Sequence, residues 1–456
     1  MTNDNTAQGK TTRAAASSAA PSHTQSDGRR VLNAARAFTG KAGQWIADAS
    51  VAIDGARIAW VGPAAALPEP YRTWPQENHP TSTLLPGFVE THAHLGTEWR
   101  RNPTQPNVID PDAIAVPWNT LQSLHTAQRL ADQGVTTVQS LGALDYTDVA
   151  LREAVEHGLV RAPRIVAAGA IITPTGGHGW RNGSEVDSIP DIRRAVREHH
   201  KAGVDTIKFA GTGGFLSPGS AQWRPQFTLE ELRAGVEEAH RLGKTVAVHA
   251  HGTAGIEQAV EAGADLIAHA SFVSDDGFTR FVPELAERIA AAGIYVDVAA
   301  VSTYPLPEGG EPWFARSVDL YRHGVKVVAG HDLGIERFPP EAYLPALVKM
   351  HEAGLPAEEV LVAATARAAK AVGLAGVTGM LAEGYTADVV AVDGDPLADF
   401  TAVEQVTKVL IRGVEHPLPS AAEREARRFS FWELRGNPTL DAYQERRARL
   451  AAATYE

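Results

Sequence analysis

His92 and His94 stand two residues apart at the end of an apolar run, Leu84-Leu-Pro-Gly-Phe-Val-Glu-Thr-His-Ala-His-Leu-Gly96. On a β-strand that spacing sends both imidazoles from one face at the C-terminal end, where they can share a divalent metal ion. A chain with 17 histidines contains about 0.6 such pairs by chance, so the pair needs partners. Partners recur. Lys208 lies inside the apolar stretch Asp205-Thr-Ile-Lys-Phe-Ala-Gly211, and His249 and His251 close Val246-Ala-Val-His-Ala-His-Gly252. His269 follows Ile267-Ala268, and His331 and Asp332 end Val328-Ala-Gly-His-Asp332.

A site made of these residues needs a scaffold that gathers distant strand ends. Short apolar segments alternate with helical ones: Leu84–Glu90, Val135–Ser140, Ile165–Ala170, Thr206–Ala210, Thr245–Val248, Leu266–Ala268, Tyr295–Ala299 and Lys326–Ala329. Thr228-Leu-Glu-Glu231 is a capping box for a helix reaching Arg241, and Pro283 opens another over Glu284–Ala292. Gly203, Gly243, Gly263 and Gly293 then stop helices and return the chain to the sheet. Eight βα units over residues 85–374 predict an α/β fold, a (β/α)8 TIM barrel with its chemistry at the C-terminal strand ends. Ahead of it, Ala49–Ile53, the turn Asp54-Gly55 and Ala56–Gly62 read as a hairpin, and Asp388–Asp393 and Val406–Arg412 read as strands behind it. Residues 30–84 and 375–418 are therefore expected to form one small β-sandwich domain built from both chain ends. Residues 1–29, with almost no large apolar side chain, are expected to be a disordered tail, and residues 419–456 a charged helical tail.

Composition narrows the chemistry. The chain has 456 residues and no cysteine, which excludes thiolate ligands, disulfides and a Cys nucleophile. Any metal must be held by His, carboxylate or modified Lys. A net charge of −12 argues against nucleic acid or an anionic membrane as partner. No apolar run reaches the about 18 residues that a membrane-spanning helix needs. Arg29-Arg30 is not followed by the apolar region of an export signal, so a cytoplasmic location is expected.

With those strand ends in view, the chain from about Arg30 to Val414 resembles the amidohydrolase superfamily of metal-dependent hydrolases. It is most similar to the prolidase and imidazolonepropionase-like branch, which has a lysine on strand four. Ile58-Ala-Trp-Val-Gly62 and Gly384-Tyr-Thr-Ala-Asp388 fit the family's split β-domain. The resemblance implies two divalent metal ions, Zn first with Co or Mn as alternatives. His92 and His94 would bind one and His249 and His269 the other, with Lys208, carboxylated by CO2, as the bridge. Asp332 would bind the first metal and shuttle protons, so that a metal-bridged hydroxide cleaves a C–N bond in an amide, peptide or carbamate. The lysine chemistry also stands alone: an amine buried in an apolar strand favours its neutral form, which reacts with CO2. The implied partner is a small-molecule amide substrate, and a homo-oligomer is expected.

Around that set, His251 lies one pleat beyond His249 and is assigned to substrate binding or ligand orientation. His178, in Thr173-Pro-Thr-Gly-Gly-His178-Gly179, resembles a loop motif of the same branch and is assigned a substrate contact, as are Tyr304 and His331. At His331 the family commonly carries a small residue, so this is a departure. Trp99, Trp118, Trp180, Trp223 and Trp313 with Arg100, Arg101, Arg181 and Arg224 suggest an aromatic, cationic mouth for an acyl or amine group. His125, His157, His199, His200, His240, His323, His351 and His416 read as surface. Two alternatives remain on the same metal centre. One is lactonase or phosphotriesterase-type work. The other is cyclic-amide or deaminase-type chemistry, which wants an acid soon after His249, where the chain has Ala250-His251-Gly252-Thr253.

Overall fold

Gly87 divides the opening apolar run into two strands of different sheets. The computed structural model describes residues 28–96, 101–102, 105–109, 116–214, 217, 219–299, 316–335 and 338–427, with backbone alone at 101–102 and 105–109. Strand Gln76–Pro86 ends just before Gly87 and Phe88–Ala93 begins just after it, so the predicted single strand Leu84–Glu90 is corrected. At the break, Gly87 N donates to Asp388 O at 2.8 Å. A Cβ on residue 87 would stand 2.1 Å from Thr136 Oγ1, so only glycine lets the chain turn there.

Both flanks of the chain enter one seven-stranded sheet. Strands Arg29–Phe38, Trp45–Asp54, Arg57–Pro63 and Gln76–Pro86 come from the first flank, and Val389–Asp393, Val406–Ile411 and Val414–His416 from the second. The expected Asp54-Gly55 hairpin forms, with Asp54 opposite Arg57. Gln76–Pro86 joins the flanks, parallel to the first strand and antiparallel to Val389–Asp393. Its polar Gln-Glu-Asn-His-Pro start gives no strand signal in the sequence. Strand pairing here makes a single sheet. Arg29 already belongs to it, one residue earlier than the predicted tail boundary. The rest of the tail call, to residue 27, lies outside the described residues. So does the C-terminal tail from 428, which begins as a helix at Ala421–Ala426.

The eight central strands are β1 (Phe88–Ala93), β2 (Val135–Ser140), β3 (Arg164–Ala167), β4 (Thr206–Ala210), β5 (Thr245–Gly252), β6 (Leu266–Val273), β7 (Tyr295–Asp297) and β8 (Lys326–Val327). All pairings are parallel, in two ladders, β1–β2–β3 and β4–β5–β6–β7–β8, which gives a TIM-barrel-like α/β arrangement. Between the ladders run individual hydrogen bonds: Asp205 N to Ala167 O at 2.7 Å, Thr91 N to Ala329 O at 3.0 Å, and His94 N to Leu333 O at 2.7 Å. No ladder closes the ring among the described residues. Beyond β3 the chain leaves the wall as Ile171–Thr173 and Gly183–Glu185, two short parallel strands that add to the β4 edge. The predicted capping box at Thr228 and the first-turn Pro283 are both present.

The strands alternate. Ile207, Phe209, Val246, Val248 and Ile267 pack outward into the main core under the helices, each contributing about 1.5–3 kcal/mol by burial. That leaves Lys208, His249 and His251 on the inner face.

Candidate metal centre

Parallel register sets the site before any side chain is considered. Lys208 lies beside Ala247, His249 beside Ala210 and Ala268, His269 beside Ala250, and Asp297 beside Ala268. Each polar side chain faces an alanine across the ladder, so bulky ligands on neighbouring strands do not collide. His269 and Asp332 both hold positive φ, at 77° and 59°, a strained backbone for residues with a Cβ. Two strand ends are thus bent to aim their side chains inward.

His92 Nε2 and His94 Nε2 converge on Asp332 Oδ1 at 3.3 and 2.9 Å. From His92 a row of rings continues to His269 at 5.1 Å, then to His249 at 4.6 Å and His178 at 4.5 Å. His251 stacks on His269 at 4.2 Å and 19°. Three groups have candidate ligand atoms mutually within 4.8 Å: His92, His94 and Asp332; His249, His251 and His269; and His92, His269 and Asp297. Of the sequence-predicted set, His92, His94, His249, His251, His269, His178 and Asp332 are brought together. Lys208 is fully buried on the same inner face, on β4 between the Ile171–Thr173 strand and β5.

Electrostatics favour metal-binding forms. Burial pushes His92 down from its ordinary value and His249 and His269 well down, and it brings His251 to about 3 and His178 to about 4. These imidazoles are neutral near pH 7, with one lone pair each. His249 Nε2 faces the carbonyl of Gly213 at 3.1 Å, so it carries the hydrogen and leaves Nδ1 to bind. Burial raises the Asp332 carboxyl, but in the acid range where it would take a proton the His92 and His94 rings are cationic. Their charge, the His94 hydrogen bond and the Lys208 charge outweigh burial and hold the group well below the usual range. Burial lowers Lys208 to about 8, and its Nζ has no hydrogen-bond partner among the described residues. An orphaned amine made easier to deprotonate, beside neutral imidazoles and an ionised carboxylate, fits borderline divalent ions such as Zn, Co or Mn.

Close approach to backbone also shapes the site. A Cβ at Gly142 would stand 2.8 Å from His94 Nδ1, and one at Gly214 would stand 2.2 Å from His178 Cε1. His178 is carried by the excursion beyond β3, and its N–H donates to Gln226 Oε1 at 2.6 Å. Gln226 Nε2 in turn donates to Ala210 O at the end of β4. His331 is not drawn into the cluster. Its ring is fully buried, 5.5 Å from Tyr343. Tyr304, Trp99, Trp313, Arg100 and Arg101 lie outside the described residues or side chains. Trp118 and Trp180 are exposed, with Arg181 over the Trp180 ring at 5.5 Å. His199, read as surface, is instead buried, with Ala195 O and Ala170 O on its two ring nitrogens.

The sequence reading missed three contributors. Asp297, at the end of β7, holds His92 Nδ1 at 3.1 Å. Glu90, two residues before His92, accepts from His92 N at 2.7 Å and His331 N at 3.0 Å. Burial lifts Glu90 well above the usual carboxylate range. Ser271 Oγ meets His251 Nδ1 at 2.9 Å. A search for any polar residue at a β-strand end finds Asp297. Nothing local marks Glu90 or Ser271.

The chain resembles known proteins in sequence and in fold. The chain is 28% identical over 411 residues to an ochratoxinase of Aspergillus niger, covering 80% of this chain and 81% of that one. It is 26% identical over 388 residues to an imidazolonepropionase of Symbiobacterium thermophilum, covering 76% and 86%. It superposes on the crystal structure of an Xaa-Pro dipeptidase with bound methionine at a TM-score of 0.75 and 27% identity, covering 85% of this chain and 99% of that one. Residues 83–415 match the sequence profile of the Amidohydrolase family. The chain belongs to the Amidohydrolase family and is a hydrolase.

Proposed function

We propose that the protein is a binuclear metal-dependent hydrolase that cleaves the C–N bond of a small amide, with a peptide, an N-acyl amino acid or a carbamate as the substrate class. The carrying observation is Lys208: a fully buried amine without a hydrogen-bond partner among the described residues, lowered to about 8, beside the histidine cluster. His92, His94 and Asp332 would hold one ion and His249 and His269 the other, with Lys208, carboxylated on Nζ, between them. Bound divalent metals supply Lewis acidity, which polarises a carbonyl and makes water a stronger acid.

The chain's own residues do the rest. Asp332 takes a proton from the attacking water and delivers it to the leaving nitrogen; its position 2.9 Å from His94 keeps it ionised and ready to accept. His178 and His251 border the cluster and present polar edges to the substrate, His251 oriented by Ser271. C–N hydrolysis also agrees with the similarity to an Xaa-Pro dipeptidase and with membership of the Amidohydrolase family. The test is a hydrolysis screen of metal-loaded enzyme across dipeptides, N-acyl amino acids, carbamates, lactones and phosphotriesters. Turnover is expected in the first three classes. Activity confined to lactones or phosphotriesters overturns the reading.

A further inference from the structure

We infer that Asp297 is the positioning residue for His92: its carboxylate fixes which imidazole nitrogen carries the hydrogen and thereby aims the other at the metal. This rests on the metal reading above. His92 is held between two carboxylates on opposite edges of its ring. Nε2 lies 3.3 Å from Asp332 Oδ1, the oxygen shared with His94, while Nδ1 lies 3.1 Å from Asp297 Oδ1. A neutral imidazole has one N–H and one lone pair, and a carboxylate only accepts. Both ring nitrogens face a carboxylate, but Nδ1 meets Asp297 in hydrogen-bond geometry whereas Nε2 and Asp332 are only a close pair. The hydrogen therefore sits on Nδ1, and the lone pair on Nε2 faces Asp332 and His94. The Asp297 carboxylate is also near enough to His92 and His269 to be considered a ligand itself. Its place argues otherwise, because it is engaged with the ring edge turned away from Asp332.

The wall makes room for this carboxylate. A Cβ at Gly330 would stand 2.7 Å from Asp297 Cβ and 2.5 Å from Thr91 Oγ1, so any larger residue would push Asp297 off His92. Gly330 immediately precedes His331 and Asp332, so the segment that delivers one ligand also leaves space to orient another. Asp297 is itself wholly buried. A carboxylate placed there without a role would be costly.

Metal affinity, read by chelator competition on metal-free protein, tests the inference with Asp297→Asn and Asp297→Ala. Both variants should bind one of two equivalents roughly 10- to 100-fold more weakly. The unfolding midpoint of metal-free Asp297→Asn should stay near that of the parent, which a merely structural role would lower. In the unmodified metal-free protein, long-range 15N–1H imidazole spectra should place the His92 hydrogen on Nδ1. Parent-like affinity in both variants, or the hydrogen on Nε2, overturns the inference. So does complete loss of one equivalent with the tautomer unchanged, which would make Asp297 a ligand. If Asp297→Ala does not fold, Asp297→Asn and the parent spectrum still decide. A parent that binds no divalent ion overturns the metal reading instead.

Discussion

Lys208 is the residue whose physics is easiest to test. Its amine falls from an ordinary 10.5 to about 8 because burial penalises the charge. A base lowered in the fold is less protonated there than in the unfolded chain, so between about pH 8 and 10.5 the unfolded state binds more protons. Stability of the metal-free protein should therefore rise with pH through that window, by up to about 3 kcal/mol. Denaturant unfolding at a series of pH values should show this slope in the parent and lose it in Lys208→Met; the same slope in both would remove Lys208 as its cause. The neutral amine is also the form that takes up CO2. At fixed dissolved CO2, reconstitution with metal should speed up by roughly fivefold from pH 7 to 8 and about twofold more by pH 9, then level off. Asp332→Asn separates binding from chemistry. It should still take up metal but lose roughly 10²–10⁴-fold in turnover if the carboxylate moves the proton. Near-parent turnover would end that role.

Strand ends carry the site, and their coupling explains what sequence showed and what it hid. Lys208, His249 and His269 were legible because each is a polar residue ending or interrupting an apolar strand. Glu90 was not, because its function is in its partners: Oε1 accepts from the backbone of His92 on β1 and of His331 beyond β8. One carboxyl thus pins together two segments that are far apart in the chain and carry His92 and Asp332. Strand Gln76–Pro86 was hidden by its polar, proline-containing start, and the excursion at Ile171–Glu185 by its shortness. His199 was misread because its amphipathic helix suggested surface, whereas two backbone carbonyls need its ring. Glu90 is pushed well up by burial, which favours its neutral form, so glutamine should imitate it. Glu90→Gln should stay within about 1 kcal/mol of the parent. Glu90→Ala orphans two buried N–H groups and should cost roughly 2–5 kcal/mol. Equal damage from both variants would show that charge at residue 90, rather than its acceptor, holds the strands.

At the scale of the molecule, the proposed ligands run from residue 92 to residue 332, so the unfolded chain has no preformed site. Metal should therefore behave as a cross-link of the native state alone. At about 1,000 times the dissociation constant, each ion adds about 4 kcal/mol, which for a chain of 456 residues is a rise of several degrees in the unfolding midpoint for two ions. A general stabilising effect of divalent ions would look similar, so the control must weaken the fold elsewhere. Asp388 provides it. Its carboxylate accepts from Thr378, Thr386 and the Arg412 backbone, and its carbonyl accepts from Gly87 where the sheet meets β1. Asp388→Ala should lower the midpoint of metal-free and metal-loaded protein alike, leaving the increment between them intact. Lys208→Ala should do the opposite, with a small change in the metal-free protein and most of the increment gone. If calorimetry finds the increment unchanged in Lys208→Ala, the ions are held somewhere other than the strand ends, and the centre proposed here is not the one that binds them.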